Sequence, residues 1–469
     1  MAADSLFALH QDWEVLPLGE ACQRGGGNVQ TGPFGSQLHA ADYVPEGIPS
    51  VMPQNIGDNK ISECGIARIT QGDAERLSKY RMREGDIVYS RRGDVERRAL
   101  VRSSEEGWLC GTGCLRIRFG DGFVYPRYAA HYLGHPSVRE WIVRHAHGAT
   151  MPNLNTTILS ELPFVLPPWS AQVLIGDAIE AYDKKLNINR SINQTLEAMA
   201  LAIFKSWFVD FDPVKAKIAA KAEGRDPLRA AMSVISGKPD AELDTLSPEQ
   251  YEKLAATAAL FPNEMEEAEL GEIPRGWAFN SVADIAQFAS GKVDVSLLNE
   301  DIYVSTENML ENRAGITRAT SLPSVASVPS FKMGHILISN IRPYFKKIWM
   351  ARFDGGRSPD VLAFESTDPQ WAEFLYNLMY QDSFFEFMTR TAKGAKMPRG
   401  DKDAIMGWRF PCPNEPLMVV FSEKVRPHYA HIESLVSQNK SLTELRETLL
   451  PKLLSGELSV AEANVEAGI

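Results

Sequence analysis

The sequence predicts an α+β protein built as two related units, each of which ends in a long helix. The chain has 469 residues, which is too long for one ordinary hydrophobic core. Similar segments recur with a period of about 250 residues, and two stretches carry the apolar seam of a coiled coil. The hydrophobic content of 44% and charged content of 23% are typical of a globular protein.

The internal duplication is the observation that decides the organisation of the chain. Three pairs of segments correspond in the same order along the sequence: Trp13 with Trp277, 83–94 (REGDIVYSRRGD) with 332–343 (KMGHILISNIRP), and 147–155 (HGATMPNLN) with 393–401 (KGAKMPRGD). The second pair predicts a turn glycine followed by a buried strand that ends in polar residues. The third pair predicts a loop, and a short strand with prolines follows it in both copies.

A long helix is predicted after each proline cluster. The second helix has a leucine seam with spacings of seven, three, four and four residues: Leu435, Leu442, Leu445, Leu449 and Leu453. The first helix has an equivalent seam at Ile192, Met199 and Ile203. Two matching seams in a duplicated chain favour pairing of the two helices with each other. The alternative is that each helix packs only on its own domain.

These signals divide the chain into six predicted segments. They are a first globular domain at 1–168, a central spacer helix at 169–208, an acidic linker or insert at 209–274, a second globular domain at 275–415, a C-terminal spacer helix at 416–458, and a tail at 459–469.

The charge distribution indicates where a polyanion could bind. The net charge is −11, but residues 60–150 contain sixteen Lys or Arg against eleven acids, and 331–409 contain twelve against nine. The acidity is concentrated in 210–274, with fourteen acids against seven bases. The flanking regions are therefore basic enough to approach a phosphate backbone.

Candidate contacts with DNA follow from basic and amide side chains that occupy the corresponding loops of both units. Arginine suits guanine or phosphate, and asparagine suits adenine. The predicted DNA-binding residues of the first unit are Arg91, Arg92, Arg97, Arg98, Thr150, Asn153 and Asn155. Those of the second unit are Asn340, Arg342, Lys346, Lys347, Lys393, Lys396 and Arg399, with Tyr344 and Phe345 between the basic residues. A solvated charged loop is the alternative for each residue taken singly.

Catalytic and metal-binding motifs are sparse in the sequence. It has no GxxxxGK[ST] loop, no glycine-rich cofactor turn and no Asn-Pro-Pro-aromatic motif of an amino-methyltransferase. Two groups of side chains resemble metal ligands: Cys110 and Cys114 with His145 and His147, and Asp210 with Asp212. The cysteines lie in a strand-turn-strand pattern and the aspartates lack further ligands, so we expect no metal, no cofactor and no catalytic residue in this chain.

Several motifs together give the chain a strong resemblance to a known family. They are GPFGSQLHAADYVPEGIPSVMPQNI at 32–56, GDIVYSRRGDVERRALV at 85–101, GWLCGTGCLRIR at 107–118, HGATMPNLN, AIFKSWFVDFDPVKAK, ELGEIPRGW and LRETLLPKLLSGEL at 445–458. In this combination and order the sequence resembles the specificity (S, or HsdS) subunits of type I restriction-modification enzymes. The resemblance covers nearly the whole chain.

The resemblance implies two mixed α/β target-recognition domains separated by two long antiparallel coiled-coil helices. One chain would bind an asymmetric, bipartite site on double-stranded DNA, while partner subunits methylate adenine or cut. Two modification subunits would bring S-adenosylmethionine, and restriction subunits would bring ATP and Mg²⁺. The predicted subunit interface comprises Phe204, Trp207, Phe208 and the five seam leucines, with closure of the local core as the alternative for the aromatic residues.

The second unit departs from the first because it lacks the GPFGS stretch, so we expect the two domains to recognise different bases. A solitary DNA-binding or anti-restriction scaffold is the alternative function, and a fused nuclease is disfavoured by the missing acid and lysine clusters. The N-terminus carries acids rather than a basic-then-apolar signal, and no run approaches the roughly 20 apolar residues of a membrane span. We therefore expect a cytoplasmic protein that does not bind membranes.

Overall fold

The structure is a computed structural model that describes residues 5–148 and 152–458. The described residues form two compact units. The first unit comprises those within Met1–Asn189 and Ser437–Ile469, and the second comprises Arg190–Val436. Thr150 and the predicted tail at 459–469 lie outside the described residues.

The first unit and the long helix that leaves it contain ten strands and six α-helices among the described residues. In chain order they are β1 (Glu14–Pro17), α1 (Leu18–Arg24), β2 (Gly26–Thr31), β3 (Tyr43–Val44), β4 (Ile48–Val51), β5 (Ala67–Ile69), α2 (Gln71–Arg76), β6 (Ile87–Ser90), β7 (Arg98–Leu100), β8 (Leu109–Cys110), β9 (Cys114–Gly120), α3 (Pro126–Tyr132), α4 (Pro136–His145), α5 (Thr156–Glu161), β10 (Pro163–Leu166) and α6 (Trp169–Phe208).

The second unit begins with a helical segment and then repeats the pattern of the first. Its elements are α7 (Asp212–Ala222), α8 (Pro227–Ser236), α9 (Asp240–Leu243), α10 (Pro248–Ala259), β11 (Met265–Ala268), β12 (Gly271–Pro274), β13 (Ala278–Ser281), α11 (Val282–Ile285), β14 (Ala286–Phe288), β15 (Lys292–Asp294), β16 (Tyr303–Val304), β17 (Ser327–Phe331), β18 (Ile336–Ser339), β19 (Ile348–Met350), β20 (Gly355–Arg357), β21 (Val361–Ser366), α12 (Ala372–Met379), α13 (Asp382–Thr391), α14 (Lys402–Met406), β22 (Arg409–Cys412) and α15 (Glu415–Ser455).

The sheet topology confirms the predicted duplication. The main sheet of the first unit has the strand order β2-β9-β6-β7, and the main sheet of the second has the equivalent order β14-β21-β18-β19. In each unit the strand that precedes the main sheet in the chain pairs antiparallel with the last strand, β1 with β10 and β13 with β22. The inner strands β6 (IVYS) and β18 (ILIS) are buried along their whole length. Their continuous apolar runs are therefore explained by burial on both faces.

The smaller sheets differ between the two units. The first unit has the order β3-β5-β4-β8, in which the earlier strand of the parallel pair, β4, is internal and the later strand, β8, forms the edge. The second has β15-β17-β20-β16, in which the earlier strand of the parallel pair, β16, forms the edge and the later strand, β20, is internal. The duplication is therefore close in the main sheets and diverged in the smaller ones.

The two long helices run antiparallel where they pack together. In the first unit, Arg446 of α15 donates to Asp183 of α6 at 2.7 Å, and the Nδ2 of Asn189 donates to Asn439 Oδ1 at 2.9 Å. The later residue on α6, Asn189, contacts the earlier residue on α15, Asn439, so the two helices run in opposite directions. Asn189 is fully buried, and a buried amide of this kind fixes the register of a helix pair.

The segment 209–274, predicted to be an acidic linker or insert, is folded. It forms α7 to α10 and the β11-β12 hairpin, and Val214, Met232 and Phe261 are buried in the core of the second unit. The Lys217 ammonium group is also buried and donates to the Phe261 carbonyl at 2.6 Å. In the described part of the chain, no helix is both long and apolar enough to cross a bilayer.

Candidate nucleic-acid interface

Two segments that are far apart in the sequence meet at one edge of the first unit. The chain leaves β6 at Arg91, and the Leu154 N–H donates to the Arg91 carbonyl at 2.8 Å. Two residues on, the Gly93 N–H donates to the Pro152 carbonyl at 3.1 Å, and Arg92 forms a β-bridge with Asn153. We call residues 91–97 together with 147–155 the first loop pair, of which 149–151 are not described.

The second unit contains the same arrangement. The Gly400 N–H donates to the Asn340 carbonyl at 3.0 Å, the Arg342 N–H donates to the Pro398 carbonyl at 2.8 Å, and a β-bridge joins the two segments between these bonds. We call residues 340–347 together with 393–401 the second loop pair. The structure therefore brings together, in both units, the two loops that the sequence singled out separately.

Local chemistry explains why the two loop pairs are alike. The serine that ends each strand turns the chain by donating its hydroxyl to the carbonyl two residues ahead: Ser90 to Arg92 at 2.9 Å, and Ser339 to Ile341 at 3.1 Å. The other loop is closed in both units by a pair of reciprocal backbone hydrogen bonds, between 147 and 153 and between 393 and 399. A helix with a capped N-terminus follows each closed loop.

Several predicted contact residues are exposed on the loop pairs: Arg92, Arg97, Lys393, Lys396 and Arg399. Arg97 binds Asp94 at 2.5 Å, Arg399 binds Asp360 at 3.2 Å, and Lys393 pairs with Asp401. The side chains of Arg92, Lys396 and the half-buried Arg342 make no hydrogen bond or ion pair to a described residue. Surface ion pairs are weak, so all six cations are available to a phosphate or a base edge.

Arg91 occupies a more enclosed position than its neighbour. Its side chain is half-buried, and its Nη1 lies 3.5 Å from Thr31 Oγ1. Its guanidinium carbon lies 5.8 Å from the centre of the exposed Phe34 ring. The buried Nε atom of Arg91 and the buried Oδ1 atom of Asn153 have no hydrogen-bond partner among the described residues. Both groups therefore retain hydrogen-bonding capacity within the first loop pair.

The prediction that Arg98 contacts DNA is wrong, because its side chain is buried. Only 5% of the residue is exposed, its Nε donates to the Ala130 carbonyl at 3.0 Å, and its Nη1 donates to Asp58 at 2.9 Å. Gly134 allows this placement, because a Cβ there would lie 1.8 Å from the guanidinium. Arg98 thus anchors β7 to the end of α3.

Other predicted contacts have structural roles as well. Asn155 caps α5 by accepting the Ile158 N–H at 2.8 Å. Asn340 is buried, although its Oδ1 lacks a hydrogen-bond partner in the described residues. Lys347 donates to the Thr306 carbonyl at 2.8 Å. These side chains hold the loop pairs in shape, and their availability to DNA is lower than the sequence suggested.

Lys346 is tied to an acidic residue at the start of α13. Its Nζ lies 2.7 Å from Asp382 Oδ1, and the same oxygen accepts from Arg313 at 2.6 Å. The hydrogen bonds from Lys346 and Arg313 lower the pKa of Asp382 to about 2. Asp382 is therefore ionised at neutral pH and holds the outer end of the second loop pair.

The predicted subunit interface is largely internal to the two units. Phe204, Trp207 and Phe208 are buried in the core of the second unit, where all three rings lie within 6.0 Å of the Phe421 ring. The prediction that these aromatic residues dock a partner is therefore wrong, and the alternative of core closure is correct. Among the seam leucines, Leu435, Leu449 and Leu453 are buried, whereas Leu442 and Leu445 are half-buried.

Four of the five cysteines are buried, and Cys64 is exposed. All five are free thiols, and Cys110 and Cys114 belong to one buried apolar cluster. Burial raises the pKa of Cys110 to about 12 and that of Cys114 well above its usual range. No group of three or more potential metal ligands occurs among residues 5–148 and 152–458.

Three exposed apolar side chains at the loop pairs were not assigned by sequence reasoning. Phe34 is 53% exposed beside Arg91, while Tyr344 and Met397, at 47% and 49%, lie on the second loop pair. Two sequence features could have identified these side chains: the GPFGS motif around Phe34 and the basic neighbours of Tyr344. The position of Tyr344 among basic residues of a predicted loop indicated exposure, whereas the GPFGS motif did not, because apolar residues in a sequence are normally assigned to the core.

Comparison with known proteins identifies the family. The type I restriction enzyme HindI specificity subunit of Haemophilus influenzae is 30% identical over 437 residues, which cover 87% of this chain and 95% of that protein. This chain belongs to the family of type I restriction enzyme specificity subunits. Such subunits are the non-catalytic DNA-recognition components of restriction-modification systems, and they act with DNA and with the other subunits.

Further comparisons agree with this assignment. The family model of the type I restriction modification DNA specificity domain matches residues 10–198 of the specificity subunit. The MjaIX specificity subunit of Methanocaldococcus jannaschii is 21% identical, with 96% of this chain and 95% of that protein covered. A crystal structure of a type I restriction-modification S subunit from M. genitalium shares the fold, with a TM-score of 0.53, 16% identity and coverage of 96% and 99%.

Proposed function

We propose that each unit of this specificity subunit recognises one half of an asymmetric, bipartite site on double-stranded DNA through its loop pair. The observation that carries the proposal is the recurrence of the loop pair, with the same backbone hydrogen bonds in both units. A single charged loop would be an ordinary surface feature. Two equivalent ones in a DNA-recognition protein indicate two reading surfaces.

The different side chains of the two loop pairs support different half-sites. The first pair offers Arg91, Arg92 and Asn153, whose guanidinium and amide groups match guanine and adenine edges. The second offers Arg342, Lys396 and Arg399 and carries no amide at the position that corresponds to Asn153. We expect lysine to bind mainly phosphate and the arginines to bind phosphate or guanine.

Catalysis would be supplied by the partners. In this proposal two modification subunits bring S-adenosylmethionine and methylate adenine in each half-site, and restriction subunits bring ATP and Mg²⁺. This chain would contribute sequence recognition and the surface on which the modification subunits assemble.

The proposal is tested by sequencing the methylome of cells that express this chain together with its modification subunit, against cells with the modification subunit alone. The expected result is adenine methylation at a split, asymmetric motif that appears only with this chain. If the modification subunit binds the chain but no new motif appears, the chain is a solitary or inhibitory scaffold instead.

A second test addresses the loop pairs directly. Lys396→Ala should weaken binding of the assembled complex to all DNA sequences and lower the magnitude of the salt slope by about 1. The control is Lys332→Ala, an exposed lysine that precedes β18, whereas the loop pair follows that strand. Equal DNA binding by the two variants would contradict the assignment of the second loop pair.

A further inference from the structure

An exposed aromatic ring lies at the tip of a strained turn in the second loop pair. Tyr344 is the middle residue of a 3₁₀ turn, Pro343–Phe345, that follows β18. The residues on either side of this turn, Arg342 and Lys346, both have a φ of 50°, in the left-handed region that non-glycine residues rarely adopt. Left-handed residues at both ends are unfavourable, so the surrounding structure must hold the turn.

Contacts with two other segments supply this support. The Asn312 N–H donates to the Phe345 carbonyl at 2.8 Å, and the Arg313 N–H donates to the Lys346 carbonyl at 2.9 Å. The Lys346 ammonium and the Arg313 guanidinium both bind Asp382. These contacts fix the residues around the tip and leave the tyrosine ring nearly half exposed.

The surroundings of the ring indicate what it contacts. Its centroid lies 4.7 Å from that of Phe345, and Arg342 beside it has no side-chain partner among the described residues. The other loop of the pair carries the exposed Lys396 and Met397. If this loop pair docked on an apolar protein surface, the unpaired cations around the apolar side chains would have no partners. Both kinds of side chain suit DNA, where cations bind phosphates and an apolar group contacts a base edge or a thymine methyl group.

The first unit presents the same combination from a different part of its sequence. Phe34 is exposed beside Arg91, but it belongs to the GPFGS stretch at 32–36, which the second unit lacks. An exposed aromatic ring beside an arginine has therefore arisen at both loop pairs from non-equivalent elements. Because the two rings were not inherited from one duplicated element, their recurrence points to a shared role.

We infer that Tyr344 is a specificity-determining residue that contacts base edges in the half-site recognised by the second unit. The inference rests on the proposed function, because it requires the second loop pair to lie on DNA. In this arrangement the cations position the loop on the backbone, and the tyrosine ring contributes discrimination between base pairs.

The experiment uses the assembled complex of this chain with its modification subunits and a duplex that carries the motif found by methylome sequencing. Binding of the wild-type complex, Tyr344→Ala and Tyr344→Phe is measured on the motif, on a duplex without it, and on duplexes with one base pair substituted at a time. Met333→Ala is the matched control, because Met333 is 66% exposed and precedes β18, whereas Tyr344 follows it.

Tyr344→Ala should weaken binding to the motif by about 5- to 50-fold and relax discrimination at one or two adjacent positions of a single half-site. Tyr344→Phe, which keeps the ring, and Met333→Ala should bind within about 3-fold of wild type. Equal weakening on the motif and on unrelated DNA would overturn the inference, and so would a Tyr344→Ala complex that matches Met333→Ala. If wild type itself shows no sequence preference, the proposed function fails, and that result is distinct from either of these.

Discussion

Arg92 of the first loop pair and Arg98, the first residue of β7, offer a direct test of how burial separates structural from functional residues. The sequence presents Arg92 and Arg98 as equivalent candidates for DNA contact, whereas the structure exposes the first and buries the second. We predict that Arg98→Ala lowers stability and leaves the intrinsic DNA affinity unchanged. We predict the reverse for Arg92→Ala.

The magnitude follows from the partners that Arg98 loses. Its Nε caps the Ala130 carbonyl near the C-terminus of α3, and leaving such a buried group without a partner costs about 1 to 3 kcal/mol. Its second partner, the Asp58 carboxylate, has a side chain that is 74% exposed, so water replaces much of that interaction. Adding the lost packing of the buried side-chain stem, we expect a total of about 2 to 4 kcal/mol. For a unit of this size the loss corresponds to a drop in Tm of about 5 to 15 °C.

The assay combines thermal unfolding of the chain with DNA binding of the assembled complex at a temperature where both variants are folded. Arg92→Ala should unfold within about 0.5 kcal/mol of wild type, because its exposed side chain has no partner among the described residues. Arg98→Met, which keeps the apolar stem, should recover part of the stability lost in Arg98→Ala. An Arg98→Ala variant with wild-type Tm and reduced DNA affinity would refute the reasoning, since it would mean that the guanidinium reaches DNA.

Three further predictions address the core of the second unit, a carboxylate on α6 in the first unit, and the aromatic ring beside Arg91. Phe208→Ala should destabilise the second unit by about 3 to 5 kcal/mol in calorimetry, because it empties a buried aromatic site, while Met199→Ala on the exposed face of the same helix should change little. Normal stability with lost binding of the modification subunit would instead restore the docking role. Neighbouring His131 and Arg102 lower the pKa of Glu180 to about 2. The carboxylate therefore stabilises the first unit above about pH 4.5, and this contribution is lost as the pH falls towards 2. In denaturant titrations across this range Glu180→Gln should be less stable than wild type by roughly 2 to 3 kcal/mol at pH 7 and equal to it near pH 2; a difference independent of pH would contradict the assignment. Phe34→Ala should weaken DNA binding by about 2- to 5-fold in fluorescence anisotropy, because the ring no longer positions the Arg91 guanidinium. Unchanged affinity would show that Phe34 does not act through this arginine.

Much of the architecture could be predicted because it depends on patterns that persist along the chain. The strands IVYS and ILIS are recognisable from their apolar runs and turn glycines, and both prove to be buried inner strands of equivalent sheets. The α6 helix spans Trp169–Phe208 and α15 spans Glu415–Ser455, where apolar seams are visible in the sequence. Such periodicities are local, so they can be detected without knowledge of the fold. The seam predicted for α6 is wrong at Met199, which is 47% exposed.

The folded state of 209–274 shows where this reasoning fails. Its many acids suggested a linker or insert, yet Val214, Met232 and Phe261 are part of the core of the second unit. Composition averages over a segment, whereas burial depends on a few apolar side chains and on what they pack against. Phe204, Trp207 and Phe208 were misassigned for the same reason, since an apolar helix face does not indicate whether its partner is the same chain or another.

The sequence by itself determined the duplication, the buried strands, the two long helices and the membership of the specificity-subunit family, because each is encoded in repeated patterns. The tertiary structure alone decided which loop residues are available to DNA. Arg92 and Arg98 lie six positions apart in one basic run, but the second returns to the domain in β7 and meets Ala130 and Asp58, which are distant in sequence. Exposure and hydrogen bonding depend on contacts between distant segments, so these properties emerge only when the chain is folded.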